Sequence, residues 1–288
     1  MIRYKGNVII FIEVLMNAYE RLVYSLQGTM PVPQDWSVWH IVSILLTAVA
    51  CAVAAILMRR ASNKQLRVFL AVAGLTLMIF EVFRQSVFSM FVTDGVATWD
   101  MQWYLFPFHF CSLAMYISFI AGLVKPGKFQ EYLLSFLATF VMLAGFIVMI
   151  VPSQVFCHFT YVNVQTMVHH GGMLVITTAV IVGGHVKLKF KTIMKGFAVF
   201  AVCVSLGLLA NEIAVLGFNI QETFNMFFIS RHFDCPMPVF GDIFKLVPYP
   251  VFLLIYLVAF IGGTCLVVYA VKLVMCFVKK IKENKYAI

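Results

Sequence analysis

Long apolar runs separated by short polar ones set the pattern of this chain from Trp36 onward. Seven of them reach the length needed to cross a hydrocarbon core of roughly 30 Å, which takes about 20 helical residues. They fall at Trp36–Met58, Arg67–Phe91, Tyr104–Val124, Glu131–Val151, Val164–Gly183, Met194–Phe218 and Val251–Cys276. The pattern predicts an all-α polytopic membrane bundle over residues 36–276, because helices satisfy their own backbone polar groups inside lipid. Ahead of it, Phe11, Val14, Leu15, Leu22, Val23 and Leu26 fall on one face. Residues 1–30 are thus expected to form an amphipathic helix lying in the interface, ended by Pro31 and Pro33. An uncleaved eighth span is the alternative. A cleaved signal is not expected, since the short apolar stretch Val8–Ile12 runs into Glu13, Glu20 and Arg21 without a small-residue cleavage site.

Composition agrees with the pattern. Of 288 residues, 62% are hydrophobic and 11% charged, where a soluble domain carries about 25% charged residues. The net charge of +9 suggests an acidic partner such as nucleic acid until its distribution is read. Fifteen of the 21 basic residues fall on one side. They are Arg59, Arg60, Lys64 and Arg67; Lys125 and Lys128; Lys187, Lys189, Lys191 and Lys195; and Lys272, Lys279, Lys280, Lys282 and Lys285. Asp35, Asp94, Asp100, Glu222, Asp234 and Asp242 occupy the opposite loops. This is the positive-inside pattern, and it predicts an outer N-terminus and a basic cytoplasmic tail at 277–288. Trp36, Trp39, Trp99 and Trp103 then form an outer aromatic belt. A multi-pass protein of the cell membrane is expected, with no nucleic-acid partner.

Cys51, Cys203, Cys265 and Cys276 sit in spans without polar company and read as small apolar residues. Cys157 and Cys235 fall in outer loops, where a disulfide between them is possible. With His158 and His232 they also make a possible zinc set. Unrelated thiols are the third reading. The long loop at 219–250 has the length of a lid or binding element; its Phe224, Met226, Phe227 and Phe228 suggest a short interfacial helix.

Four spans carry polar side chains at one depth. Counted at about 1.5 Å per residue, Cys111 lies about 10 Å below Tyr104, and His170 about 9 Å below Val164. Running the other way, Arg84 lies about 10 Å below Phe91 and Asn211 about 10 Å below Phe218. Such groups cost several kcal/mol in hydrocarbon unless paired or solvated, so a shared depth points to a site. Glu81, Arg84 and Gln85, spaced i, i+3 and i+4, share a face. They suit either a structural ion pair or a guanidinium fork on a phosphate or carboxylate. His109 aligns with Ser112 and Tyr116 in a polar stripe expected to face into the bundle, and Pro107 frees a carbonyl just above it.

A thiol in apolar surroundings is unreactive unless a base or a cation helps it ionise. Cys111 as nucleophile, His170 as base and Asn211 as orienting group make one such arrangement. Glu81, Arg84, Gln85, His109, His169 and Glu212 would then surround the substrate. His169 points about 100° away from His170, so it is expected to affect Cys111 less. An intramembrane metal site at His109, His169, His170 and Glu212 is the competing reading, but no ligand spacing supports it; neither metal nor cofactor is expected.

The stretch Phe106-Pro107-Phe108-His109-Phe110-Cys111-Ser112 resembles the hallmark of the YwaF-like bacterial integral membrane proteins. His170-Gly171 resembles their later His-Gly motif. Asn211, Asn225-Met226-Phe227-Phe228 and Pro236 or Pro238 resemble their C-terminal pattern. The similarity runs from Arg67 to Ala270. That family is distantly similar to a eukaryotic transmembrane group that includes a cysteine-dependent phospholipid acyltransferase, itself similar to membrane hydrolases using a threonine and a histidine. The resemblance implies acyl transfer or hydrolysis on a membrane lipid, with Cys111 as nucleophile, His170 as base and Asn225 near the substrate. A non-enzymatic binding or transport protein, holding a small anionic or amphipathic ligand in a polar cavity, is the alternative. Neither reading fixes an oligomeric state.

Overall fold

A computed structural model describes residues 16–285 apart from 219 and 221. Its helices are α1 (Ala18–Leu26), α2 (Val38–Met58), α3 (Asn63–Ser89), α4 (Leu113–Leu123), α5 (Lys128–Ile150), α6 (Thr160–Val182), α7 (Phe190–Glu212), α8 (Phe240–Leu246) and α9 (Tyr249–Lys285). A π turn at Ile213–Gly217 continues α7. Among the described residues, six helices are long and apolar enough to cross a membrane: α2, α3, α5, α6, α7 with its π turn, and α9. This is an all-α polytopic bundle. Its ends differ from expectation in two places. The helix of the second span stops at Ser89 and yields to a hairpin of β1 (Met90–Thr93) and β2 (Val96–Trp99), with Met90 opposite Trp99. Its turn residues Asp94 and Gly95 have φ of 52° and 80°, as a two-residue Asp-Gly hairpin requires. At the other end, residues 277–285 continue α9 as helix.

The third predicted span is the larger departure. Only Leu113–Leu123 is helical, 11 residues in all. Trp103–Leu105 forms a 3-10 turn, and Phe106 is extended at φ −48° and ψ 130°. Steric conflict with a following proline drives that extension, and Pro107 has no N–H with which to resume a helix. Depth counted along a continuous helix therefore does not apply to His109 and Cys111. The stripe of His109 with Ser112 and Tyr116 is not a helical face.

The short α4 is held by α3. A Cβ on Gly74 would lie 2.5 Å from the Phe119 nitrogen, and one on Gly122 would lie 2.4 Å from the Ala71 nitrogen. Small residues at such crossings let two backbones touch. At the lysine-bearing end Arg67 donates to the carbonyls of Gly122 (3.1 Å) and Leu123 (2.7 Å), where a cation meets the negative pole of α4. Lys195 pairs there with Glu131. Helix α5 is the buried centre of the bundle, packed on α6 and α7. Helix α2 lies at the edge, on α6.

Helix α1 covers the hairpin end. Asn17 and Glu20 cap it reciprocally, and Val23 is buried with Val87, Met90 and Val162. Gln27 fastens its end by donating to the carbonyls of Val87 (3.0 Å) and Met90 (2.6 Å). Phe11, Val14 and Leu15 of the predicted apolar face lie outside the described residues; Leu22 is exposed and Leu26 half-buried.

Candidate functional site

The Glu81 carboxylate is the hub of the buried polar groups. It accepts from Arg84 Nε (2.9 Å) and Nη2 (2.7 Å), from Gln85 Nε2 (2.8 Å) and, across the bundle, from Gln165 Nε2 on α6 (3.2 Å). Four donors on two oxygens are what a buried carboxylate needs to remain charged. Arg84 Nη2 and Gln85 Nε2 also reach the Leu105 carbonyl, at 3.3 and 2.6 Å. Leu105 is the last residue before the unwound stretch that carries His109 and Cys111. The network therefore holds one end of that stretch.

A histidine holds the other end. His169 Nε2 donates to the Cys111 carbonyl at 3.2 Å, so the histidine expected to point away is the one that touches Cys111. A carbonyl only accepts, so His169 carries its proton on Nε2, and its buried Nδ1 has no partner. His170 is set the opposite way. Its Nδ1 donates to the Thr166 carbonyl at 2.8 Å, which leaves a buried, unpartnered Nε2. It makes no bond to the Cys111 thiol. The two imidazoles lie edge to face with centroids 5.3 Å apart. Cys111 stands directly before α4, next to Ser112 at its N-cap, where the peptide dipoles present their positive end.

A second irregular stretch faces the first. Phe106 packs on Phe224 (5.5 Å), Phe108 on Phe227 (5.7 Å), and His109 on Phe228 (4.7 Å). Phe227 and Phe228 have φ of 59° and 58°, and each such non-glycine residue costs of order 1–3 kcal/mol. Asn211 holds this turn by accepting from Met226 N (2.7 Å) and donating to Met226 O (3.1 Å). Tyr256 donates to Phe227 O at 3.1 Å, and Tyr249 to Ile229 O at 2.6 Å. Asn225 closes the loop on itself through Ser230 N (2.8 Å) and Asp234 O (3.1 Å). Gly207 leaves room for the Phe227 ring, whose nearest atom would lie 2.6 Å from a Cβ there. The expected interfacial helix at Phe224–Phe228 is thus a buried 3-10 turn over Met226–Phe228. Irregular backbone at membrane depth is tolerated where protein buries it, and these two stretches bury each other.

The structure thus brings Glu81, Arg84, Gln85, Cys111, His169 and His170 together. It joins His109 to them through the unwound stretch, and Asn211 and Asn225 through the facing turn. Glu212 stands apart: Oε2 accepts from Arg231 (2.7 Å) and His232 (3.2 Å). Cys157 and Cys235 are free thiols in separate hydrophobic clusters, and among the described residues no group of three His, Cys, Asp or Glu side chains converges as a metal site would require. Gln165 and Thr166 were missed from the sequence. Gln165, four residues before His169, shares its helical face, so the period already pointed to it. An apolar crevice of about 520 Å³ between α2 and α6 reaches Gly171 and Gly172, just past the histidines. A larger one of about 550 Å³ lies on the other side of α2, and neither is lined by these polar groups.

Bundle and site together define a polytopic helical membrane protein with a buried polar centre. Residues 36–269 match the family model of the TMEM164 family, a transmembrane protein family, and the chain belongs to it. Neither a curated protein nor a solved structure matches the chain.

Proposed function

We propose that this protein transfers or hydrolyses acyl groups of a membrane lipid through a thioester on Cys111, in the cell membrane with its hairpin end outward. His170 Nε2 takes the thiol proton. The thiolate adds to the ester carbonyl, and the lipid alkoxide leaves as the alcohol with the proton from His170. A hydroxyl acceptor or water then releases the acyl group by the reverse sequence. The observation that carries the reading is the fixed tautomer of His170: its Nδ1–H is spent on Thr166, and the bare Nε2 is left buried beside the residues that hold Cys111. The positive end of α4 suits a thiolate and the oxyanion that follows. The crevice ending at Gly171 and Gly172 suits an acyl chain. Membership of a transmembrane family and the YwaF-like motifs agree with a membrane-embedded substrate. Asn211 enters through the turn it clamps, and His169 by holding the Cys111 backbone.

The alternative of an anionic ligand draws less support, since Arg84 commits its Nε and Nη2 to Glu81 and Leu105 and its charge is met by the Glu81 carboxylate. The test is an acyl or thiol activity probe on the purified protein in lipid nanodiscs, read by mass spectrometry. Modification should map to Cys111. Full lipid turnover in both Cys111→Ala and Cys111→Ser would end this reading.

A further inference from the structure

We infer that Gln165 is a positioning residue that sets the histidine helix in register with the Cys111 segment; its effect on turnover rests on the acyl-transfer reading above. Gln165 is 2% exposed and reaches Oε2 of Glu81 from α6, the oxygen that Arg84 Nε also holds. Through Glu81 it is tied to Arg84 and Gln85, and through both of those to the Leu105 carbonyl. One turn further along α6, His169 holds the Cys111 carbonyl. The same helix thus grips the Cys111 segment at both ends, indirectly at Leu105 and directly at Cys111. Thr166, next to Gln165, supplies the carbonyl that orients His170. Without the Gln165 amide, His169 is the hydrogen bond that the described residues of α6 keep to this segment, and Tyr161, donating to the Phe80 carbonyl at 2.9 Å nearer the start of α6, is the one they keep to α3. At the level of Glu81, α6 is then free to shift. Such a shift moves both imidazoles relative to Cys111, and a displacement of about 1 Å at a reacting pair costs on the order of 100-fold in rate.

The test uses the full chain in nanodiscs with Gln165→Met, which keeps the bulk and removes the donor. Gln130→Met is the control. Gln130 is also buried, at 6% exposure, and donates to the Ala121 carbonyl at 2.8 Å near the opposite end of the bundle. The first readout is the rate of Cys111 alkylation by a small maleimide, followed by mass spectrometry. It needs no turnover. Gln165→Met should slow it by about tenfold, with Gln130→Met within twofold of the parent. Where lipid turnover is measurable, Gln165→Met should lower kcat by a similar factor and leave KM within twofold. Parent-like alkylation in Gln165→Met, or an equal change in Gln130→Met, would overturn the inference. Absence of any acyl turnover in the parent would instead remove the acyl-transfer reading and leave the register claim to the alkylation rates alone.

Discussion

His169 holds the backbone of Cys111, its Nε2 3.2 Å from the carbonyl oxygen, while the neighbouring His170 turns its Nδ1 back onto Thr166 of its own helix; each ring keeps one buried nitrogen without a partner. Two adjacent histidines thus have separate partners, and under the proposed mechanism one fixes the position of the cysteine and the other moves a proton. Substitution should tell them apart. His170→Ala should lower lipid turnover by roughly 10²–10⁴, the usual contribution of a positioned general base, and should cost less stability than His169→Ala, because the bond it removes lies within its own helix. His169→Ala should lower both turnover and melting temperature, because it removes a buried tie. Matching losses on both measures in the two variants would show that the tasks are not divided.

Buried Glu81 and half-buried Arg84 form a bidentate pair, and removing Arg84 leaves the buried carboxylate uncompensated. Arg84→Leu should therefore destabilise the protein by about 3–5 kcal/mol. Arg84→Lys should recover only part of this, since an ammonium cannot bridge both oxygens of Glu81. Thermal unfolding in detergent, followed by tryptophan fluorescence, measures both. A parent-like melting temperature for Arg84→Leu would contradict the hub.

The turn at Met226–Phe228 should respond to a single methyl group on the helix beneath it. Gly207→Ala places a Cβ 2.6 Å from the Phe227 ring and should push that ring, and Phe228 with it, off its seat. Asn211→Ala leaves the buried Met226 N–H without its partner, at about 1–3 kcal/mol, and leaves the Met226 carbonyl with Ile229 N at 3.4 Å. Both variants should be cleaved faster by protease within residues 225–235. Unchanged cleavage would mean that the turn does not depend on these supports.

Burial pushes the thiol of Cys157 up, and does the same to Cys235. Less thiolate is then present at any given pH, so both should react with iodoacetamide more slowly than free glutathione at pH 8. Their rates should still be rising at a pH where glutathione has levelled off. Peptide mapping by mass spectrometry gives the two rates separately.

The lysine distribution predicts an orientation, with the hairpin end outward. With Asp94→Cys in the hairpin turn and Lys189→Cys just before α7, an impermeant maleimide applied to intact cells should label the first and not the second. Labelling of both from one side would overturn an outward hairpin end.

The spans of the bundle were legible from apolar run length alone, because the hydrocarbon core imposes one length on every crossing helix. Polar residues in those runs pointed to Glu81, Arg84, Cys111, His169 and His170 for a related reason: a buried polar group needs partners. Their pairing was not legible. Which imidazole nitrogen is spent depends on Thr166 and Cys111 carbonyls, and a carbonyl is common to every residue. Pro107 gave the one warning that the third span is broken, and a proline in an apolar run marks equally a kink or an end. Asn211 illustrates the same limit. Its depth was visible in the sequence, but its partner is the backbone of Met226, fifteen residues on.

Pro107 also bears on how the chain enters its membrane. The 11 residues of α4 reach roughly 16 Å, about half of the hydrocarbon core. A segment that short, led by open backbone, has no stable place in lipid by itself. It must partition together with α3, whose Gly74 and Ala71 already fit its surface. The cysteine segment thus reaches its final depth as the passenger of a neighbouring helix, and a mismatch at that glycine crossing would surface as failed biogenesis before any chemistry could be measured.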